Sequence, residues 1–270
     1  MELLDADWPG VLGRIVAAQE RIFAATRGRE ARTVYEGVGE GGDRTLAIDR
    51  ECEDVVFAEL EALAAAGASF LAISEERGEV SFGGGGPAQV VIDPIDGSLN
   101  ARRTLPAHSL SLAVASGPTM ADVELGYVHD FGAGESFLAR RGEGATLDGE
   151  PIEVGEDGER LEILGVEAAE PDGLLPVARE LAGSVYRLRV VGSLAITACY
   201  VAAGRFDAMT GLRPCRSVDV AAAQLIVREA GGALAFGDRP LDAVGLSLET
   251  RYPIAAAAGE RGLATVSRIA

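Results

Sequence analysis

The chain has 270 residues, enough for one large domain or two packed halves, and 48% are hydrophobic, which supports a sizeable core and argues against disorder. Its formal net charge of −18, from 42 acidic and 24 basic residues, argues against nonspecific nucleic-acid binding, which needs a basic footprint. All of the basic residues are Arg; a halophilic, high-salt cytoplasm, in which an acidic surface keeps protein soluble, is the favoured account, and the alternative of GC-rich codon usage would explain the missing Lys but not the charge.

In chain order, Asp7-Trp8-Pro9 reads as a helix start, with Asp7 capping and Pro9 in the first turn. Val11, Ile15 and Ile22 carry the helical spacing to about Arg27. Residues 37–42 match GxGxxG by letter, but no apolar strand leads in, and Asp43-Arg44-Thr45 follows where a helix should open. A flexible loop is expected there rather than a dinucleotide site. Asp49 begins a second helix to about Ala66, with Val56, Leu60 and Leu63 as its apolar stripe and Gly67 as its C-terminal cap. Residues 69–73 form a strand that ends at Glu75-Glu76, and residues 83–87 read as a glycine-rich link. Residues 109–116, 123–127 and 135–140 alternate polar and apolar, which predicts an antiparallel sheet with one buried face, and Asp148-Gly149 predicts a hairpin turn.

The polar stretch 155–160 is the expected boundary between an N-terminal half, residues 1–155, and a C-terminal half, residues 156–270. The second half alternates: strands over 161–166, 186–191, 233–236 and 254–258, and helices over 174–182, 193–203 and 218–230. A layered α/β sandwich is the expected fold, with ligand-binding residues at strand ends and helix starts. The odd set Cys52, Cys199 and Cys215 shows no CxxC spacing and indicates neither disulfides nor a zinc site. An acidic start without a basic stretch, and apolar runs too short for a span, predict a cytoplasmic protein with no membrane partner.

The chemistry concentrates at Val90-Val91-Ile92-Asp93-Pro94-Ile95-Asp96-Gly97-Ser98. An apolar strand ending in two carboxylates would aim Asp93, Asp96 and the Ile95 carbonyl at one point, a donor set suited to Mg²⁺. The following amides would hold a phosphate. The alternative is that Asp-Pro and Asp-Gly are ordinary turn formers. Likewise, Glu75 and Glu76 read alone as a solvated pair, and Asp49 and Asp219 as simple helix caps. His108 and His129 are not expected to be ligands, because Mg²⁺ does not seek imidazole. GxSxG is absent, and a Walker A motif requires Lys, so attack by activated water is the surviving route for phosphate chemistry.

Asp93-Pro94-Ile95-Asp96-Gly97-Ser98 resembles the signature of the inositol monophosphatase family of Mg²⁺-dependent sugar-phosphate phosphatases. Three further stretches resemble that family's motifs in the same order: Ser74-Glu75-Glu76, Gly192-Ser193-Leu194, and Val218-Asp219-Val220-Ala221-Ala222 with its glycine-ended helix. The resemblance implies alternating α/β/α/β/α layers and a homodimer. It implies two or three Mg²⁺ ions, with Mn²⁺ as a substitute, held by Glu75, Asp93, Asp96, Asp219 and the Ile95 carbonyl. Glu75 would help activate water, Asp49 would assist a third ion, and Gly97 and Ser98 would bind the phosphate. Asp96, Gly192, Ser193 and Leu194 would meet the substrate. No carboxylate stands near Gly211 to read inositol hydroxyls, and Arg189 matches an arginine that meets a second phosphate in archaeal members. The implied substrates are therefore fructose 1,6-bisphosphate and inositol 1-phosphate. The alternatives are a 3′-phosphoadenosine 5′-phosphate phosphatase, or a non-catalytic sugar-phosphate-binding regulator, against which the complete carboxylate set argues.

Overall fold

The computed structural model describes residues 1–34, 46–168 and 170–269; the glycine-rich segment 37–42 and Asp43-Arg44-Thr45 lie outside the described residues. Its helices are α1 (Trp8–Ala25), α2 (Ala47–Ala65), α3 (Ser98–Arg103), α4 (Pro171–Glu180), α5 (Leu194–Ala202), α6 (Ser217–Glu229) and α7 (Glu260–Val266). One sheet contains β1 (Phe70–Ser74), β2 (Gly78–Phe82), β3 (Gln89–Asp96), β4 (Ser109–Ala115), β5 (Val123–Asp130), β6 (Glu135–Arg140), β7 (Gly144–Leu147) and β8 (Glu150–Ile152). Its strand order is β2-β1-β3-β4-β5-β6-β7-β8. The other contains β9 (Leu161–Glu167), β10 (Val185–Arg189), β11 (Ala208–Gly211), β12 (Ala233–Ala235) and β13 (Ala255–Ala257), in the order β10-β9-β11-β13-β12.

The layers follow from which faces are apolar. Asp7 caps α1 by accepting the Gly10 amide at 3.1 Å, and the helix then turns Trp8, Val11 and Ile15 inward. With Val56 and Leu60 of α2, these side chains cover Phe70, Val90, Ile92 and Leu112 on one face of the large sheet. The other face, through Ile73, Val91, Ala113 and Val128, packs on α5 and α6. Helix α6 is buried from Ser217 to Val227 because it lies between the two sheets. Val177 of α4 and Val266 of α7 cover the far face of the small sheet against Leu164, Ala208 and Ala257. The sandwich is therefore α/β/α/β/α.

Strand β4 departs from the expected single buried face. All seven of its residues are buried, because the strand is central and helices cover it on both sides. The alternation of Ser and apolar residues marks small against large side chains rather than outside against inside. The turn at Asp148-Gly149 joins β7 to β8, with Leu147 paired to Glu150. Strands β2 and β11 and helices α3 and α7 were not anticipated; each is short and draws its stability from tertiary contacts. No helix among the described residues is long and apolar enough to cross a membrane.

Candidate active site

Strands β1 and β3 run parallel, and Ser74 lies in register with Ile92. The residues that follow each, Glu75 and Asp93, therefore emerge side by side. Beyond Asp93 the pairing with β4 shifts: Asp93 faces Ser111 but Asp96 faces Ser109, three steps on one strand against two on the other. This bulge is placed by Pro94, which has no amide to give the ladder. It also changes the geometry of the acids. On a regular strand, residues three apart point to opposite faces; the extra residue removes that opposition for Asp93 and Asp96. The Ile95 amide donates to Asp93 Oδ1 at 3.0 Å and holds the carboxylate in place.

Asp219 arrives from the C-terminal half as the third residue of α6. Its Oδ2 accepts the Arg216 amide at 2.8 Å, so one oxygen closes the helix start while the carboxylate remains in the cavity wall. Asp49 repeats this arrangement on α2, with Oδ2 accepting the Leu46 amide at 3.1 Å. Both acids thus sit three residues past the cap position rather than at it. Asp49 Oδ1 is buried with no hydrogen-bond partner among the described residues.

Glu75, Asp93 and Asp219 each present an oxygen within 4.8 Å of the others. They line a cavity of about 520 Å³ together with Asp49, Ile95 and Asp96. Asp96 is held by two donors from the second half of the chain. Its Oδ2 accepts from the Ser193 hydroxyl and, at 2.9 Å, from the Ala195 amide at the start of α5. Asp96 therefore ties the signature strand to the second half, and Ser193 is turned toward it. Gly97, Ser98, Gly192 and Leu194 also line the cavity. The Ile95 carbonyl accepts the Ser98 hydroxyl at 2.9 Å.

Arg189 does not reach the cavity wall. It is exposed at the end of edge strand β10, and its guanidinium donates to the Leu188 carbonyl at 2.9 Å. An edge strand packed on one side only turns part of its side chains to solvent, and Arg189 is one of them. Among the described residues, the arginines that line the cavity are Arg102 and Arg216. The latter was not singled out in the sequence. Arg216 is nearly buried and bonds Glu75 Oε1 at 2.6 Å and Asp219 Oδ1 at 3.4 Å. Glu167 was missed as well. It ends β9 as Glu75 follows β1, and it accepts the Val191 and Gly192 amides at 3.0 and 2.9 Å and the Thr197 hydroxyl at 2.7 Å. From the other side, the Asn100 side-chain amide donates to Ala107 O at 2.9 Å and Val191 O at 2.8 Å. The loop before Ser193 is thus held by both halves.

Burial dominates the electrostatics. It pushes Glu75 up to about 8, against the pull of Arg216 and with Asp219 adding to the rise. Burial carries Asp49 and Asp96 to about 7, the latter restrained by the Ser193 hydroxyl. Asp93 is raised by burial and then by Glu75, and Asp219 by burial against Arg216. So many buried carboxylates cannot all ionise side by side without added positive charge. An all-oxygen donor set, with an Asp49 oxygen beside it that has no partner among the described residues, fits a hard divalent cation. His108 and His129 pack instead against Phe131, with His108 also edge-on to Phe23, and burial lowers the pKa of both.

A family model described as the inositol monophosphatase family matches residues 12–269. The fructose-1,6-bisphosphatase/inositol-1-monophosphatase of Methanothermobacter thermautotrophicus is 34% identical over 243 residues, 84% of this chain and 83% of that protein. The protein of the same name from Archaeoglobus fulgidus is 33% identical over 224 residues, 82% of this chain and 81% of its own. Among solved structures, an inositol monophosphatase–fructose 1,6-bisphosphatase superposes with a TM-score of 0.85 at 26% identity, covering 98% of this chain and 100% of that one. Motif order, layered fold and matched length agree, and the chain belongs to the inositol monophosphatase family.

Proposed function

We propose that the protein is a divalent-cation-dependent phosphatase of small sugar phosphates, with fructose 1,6-bisphosphate and inositol 1-phosphate among its substrates. The observation that carries this reading is the approach of Glu75, Asp93 and Asp219 oxygens to within 4.8 Å of one another in a cavity also lined by Asp49 and Asp96. Glu75, Asp93, Asp219, the Ile95 carbonyl and the free oxygen of Asp96 would hold Mg²⁺ or Mn²⁺, and Asp49 would assist a further ion. Bound there, such an ion supplies charge neutralisation for the phosphoryl group and activation of water.

The rest falls to the chain's own groups. Gly97 and Ser98, at the start of α3, would receive the phosphate. Arg102 supplies positive charge to the same cavity. Glu75 would help activate the attacking water, taking its proton once a bound cation keeps the carboxylate ionised. Asp96, locked to α5, keeps Gly192 and Leu194 against the phosphate side, where they would meet the sugar. Family membership also supports a homodimer and a cytoplasmic location, with the acidic surface suited to high salt.

The test is phosphate release from fructose 1,6-bisphosphate, inositol 1-phosphate and 3′-phosphoadenosine 5′-phosphate, with Mg²⁺, with Mn²⁺ and with EDTA. The sugar phosphates should be hydrolysed only with a divalent ion, and Asp93→Asn should cut turnover by about 10²-fold or more. Hydrolysis that persists in EDTA, or near-normal turnover of Asp93→Asn at saturating Mg²⁺, would contradict the reading.

A further inference from the structure

Arg216 sits where a cation is wanted. One terminal nitrogen of its guanidinium lies 2.6 Å from Glu75 Oε1 and 3.4 Å from Asp219 Oδ1, two of the three carboxylates that converge. We propose that Arg216 is a built-in counter-cation: it holds the metal-free carboxylates together and must release Glu75 when a divalent ion enters. The inference rests on the phosphatase reading only in requiring such an ion at Glu75 and Asp219.

Three features support it. An arginine cannot shed its proton to relieve the charge mismatch, so it is a permanent cation. A divalent ion drawn to Glu75 and Asp219 would compete for the oxygens it already bonds, and the two positive centres would repel. The chain also allows the side chain to move while the backbone stays. The Arg216 amide is pinned to Asp219 Oδ2 at 2.8 Å, whereas its side chain lines the cavity of about 520 Å³, so releasing Glu75 does not require the helix start to shift. A purely structural ion pair would have no reason to share both partners with a metal cluster. The cavity also contains Arg102, so charge toward the substrate does not depend on Arg216 alone.

The experiment compares wild type, Arg216→Gln and Arg216→Lys by calorimetric titration with Mn²⁺ and by thermal unfolding in EDTA and in saturating Mn²⁺. Arg216→Gln should bind Mn²⁺ about tenfold more tightly, because the competitor is gone. Its Tm should fall by about 3 °C or more in EDTA and recover to the wild-type value in Mn²⁺. Arg216→Lys, which keeps the charge but loses the fork, should lie between the two. Unchanged or weaker Mn²⁺ binding by Arg216→Gln overturns the proposal, as does a Tm deficit of equal size with and without metal. Should Arg216→Gln not fold in EDTA, refolding on addition of Mn²⁺ supports the counter-cation role, and failure to refold overturns it. A wild type that binds no Mn²⁺ refutes both this proposal and the phosphatase reading; a wild type that binds and turns over, beside an unaltered Arg216→Gln, refutes this proposal alone.

Discussion

Gly97→Ala tests how the two halves close on the signature. Gly97 has φ of +91°, a left-handed conformation that costs a residue with a Cβ about 1–2 kcal/mol. Its surroundings add a second cost. A Cβ at this position would come within 2.8 Å of Ala107 O and 3.0 Å of Gly192 O, and both are backbone atoms that cannot rotate away. Overpacking of this kind costs about 1–3 kcal/mol, for a total of about 2–5 kcal/mol. The comparison is Gly134→Ala, at φ of +70° with no atom within 4 Å, which should cost only about 1–2 kcal/mol for its backbone. Urea unfolding in EDTA, with equal m-values, measures both. Phosphate release should fall further for Gly97→Ala than stability alone explains, because pushing Gly192 away moves Ser193 off Asp96. Two variants within about 0.5 kcal/mol of each other would refute the claim that this backbone approach is tight.

His108 gives a prediction for acid. Burial first, and Arg32 second, lower its pKa from 6.5 to about 4. The folded protein therefore binds fewer protons than the unfolded chain between those values. The neutral-state contribution is full above pH 6.5 and is lost as pH falls toward 4, by up to about 3 kcal/mol. His108→Gln should flatten that part of the stability profile measured by urea unfolding at successive pH values; an unchanged slope would show that other groups set it. Arg189→Ala should alter fructose 1,6-bisphosphate and inositol 1-phosphate hydrolysis alike, by less than about threefold, as expected of an exposed side chain outside the cavity wall. A selective loss of ten- to a hundredfold on the bisphosphate in a kcat/KM comparison would restore Arg189 as the reader of a second phosphate.

Much of this protein is written in local patterns. Asp7 and Pro9 open α1, the Val56–Leu60–Leu63 stripe buries α2, and Gly231-Gly232 follows α6, because caps and periodicity act over a few residues. The carboxylates were legible for a similar reason: each stands at the end of an apolar run or in the first turn of a helix, and four such stretches occur in family order. What remained hidden depends on residues far apart in the chain. The two-sided burial of β4 requires helices from both halves. Arg216 and Glu167 are ordinary charged residues until α6 and β9 bring one to Glu75, 141 positions earlier in the sequence numbering, and the other to Val191 and Gly192. Arg189 looked poised for the cleft because it precedes Gly192 closely, yet its side chain lies at the sheet edge, outside the cavity wall. Strand order, the bulge at Pro94 and the pairing of distant charges are settled only when the sheets stack, since nothing in a local stretch specifies which distant groups will share its dielectric.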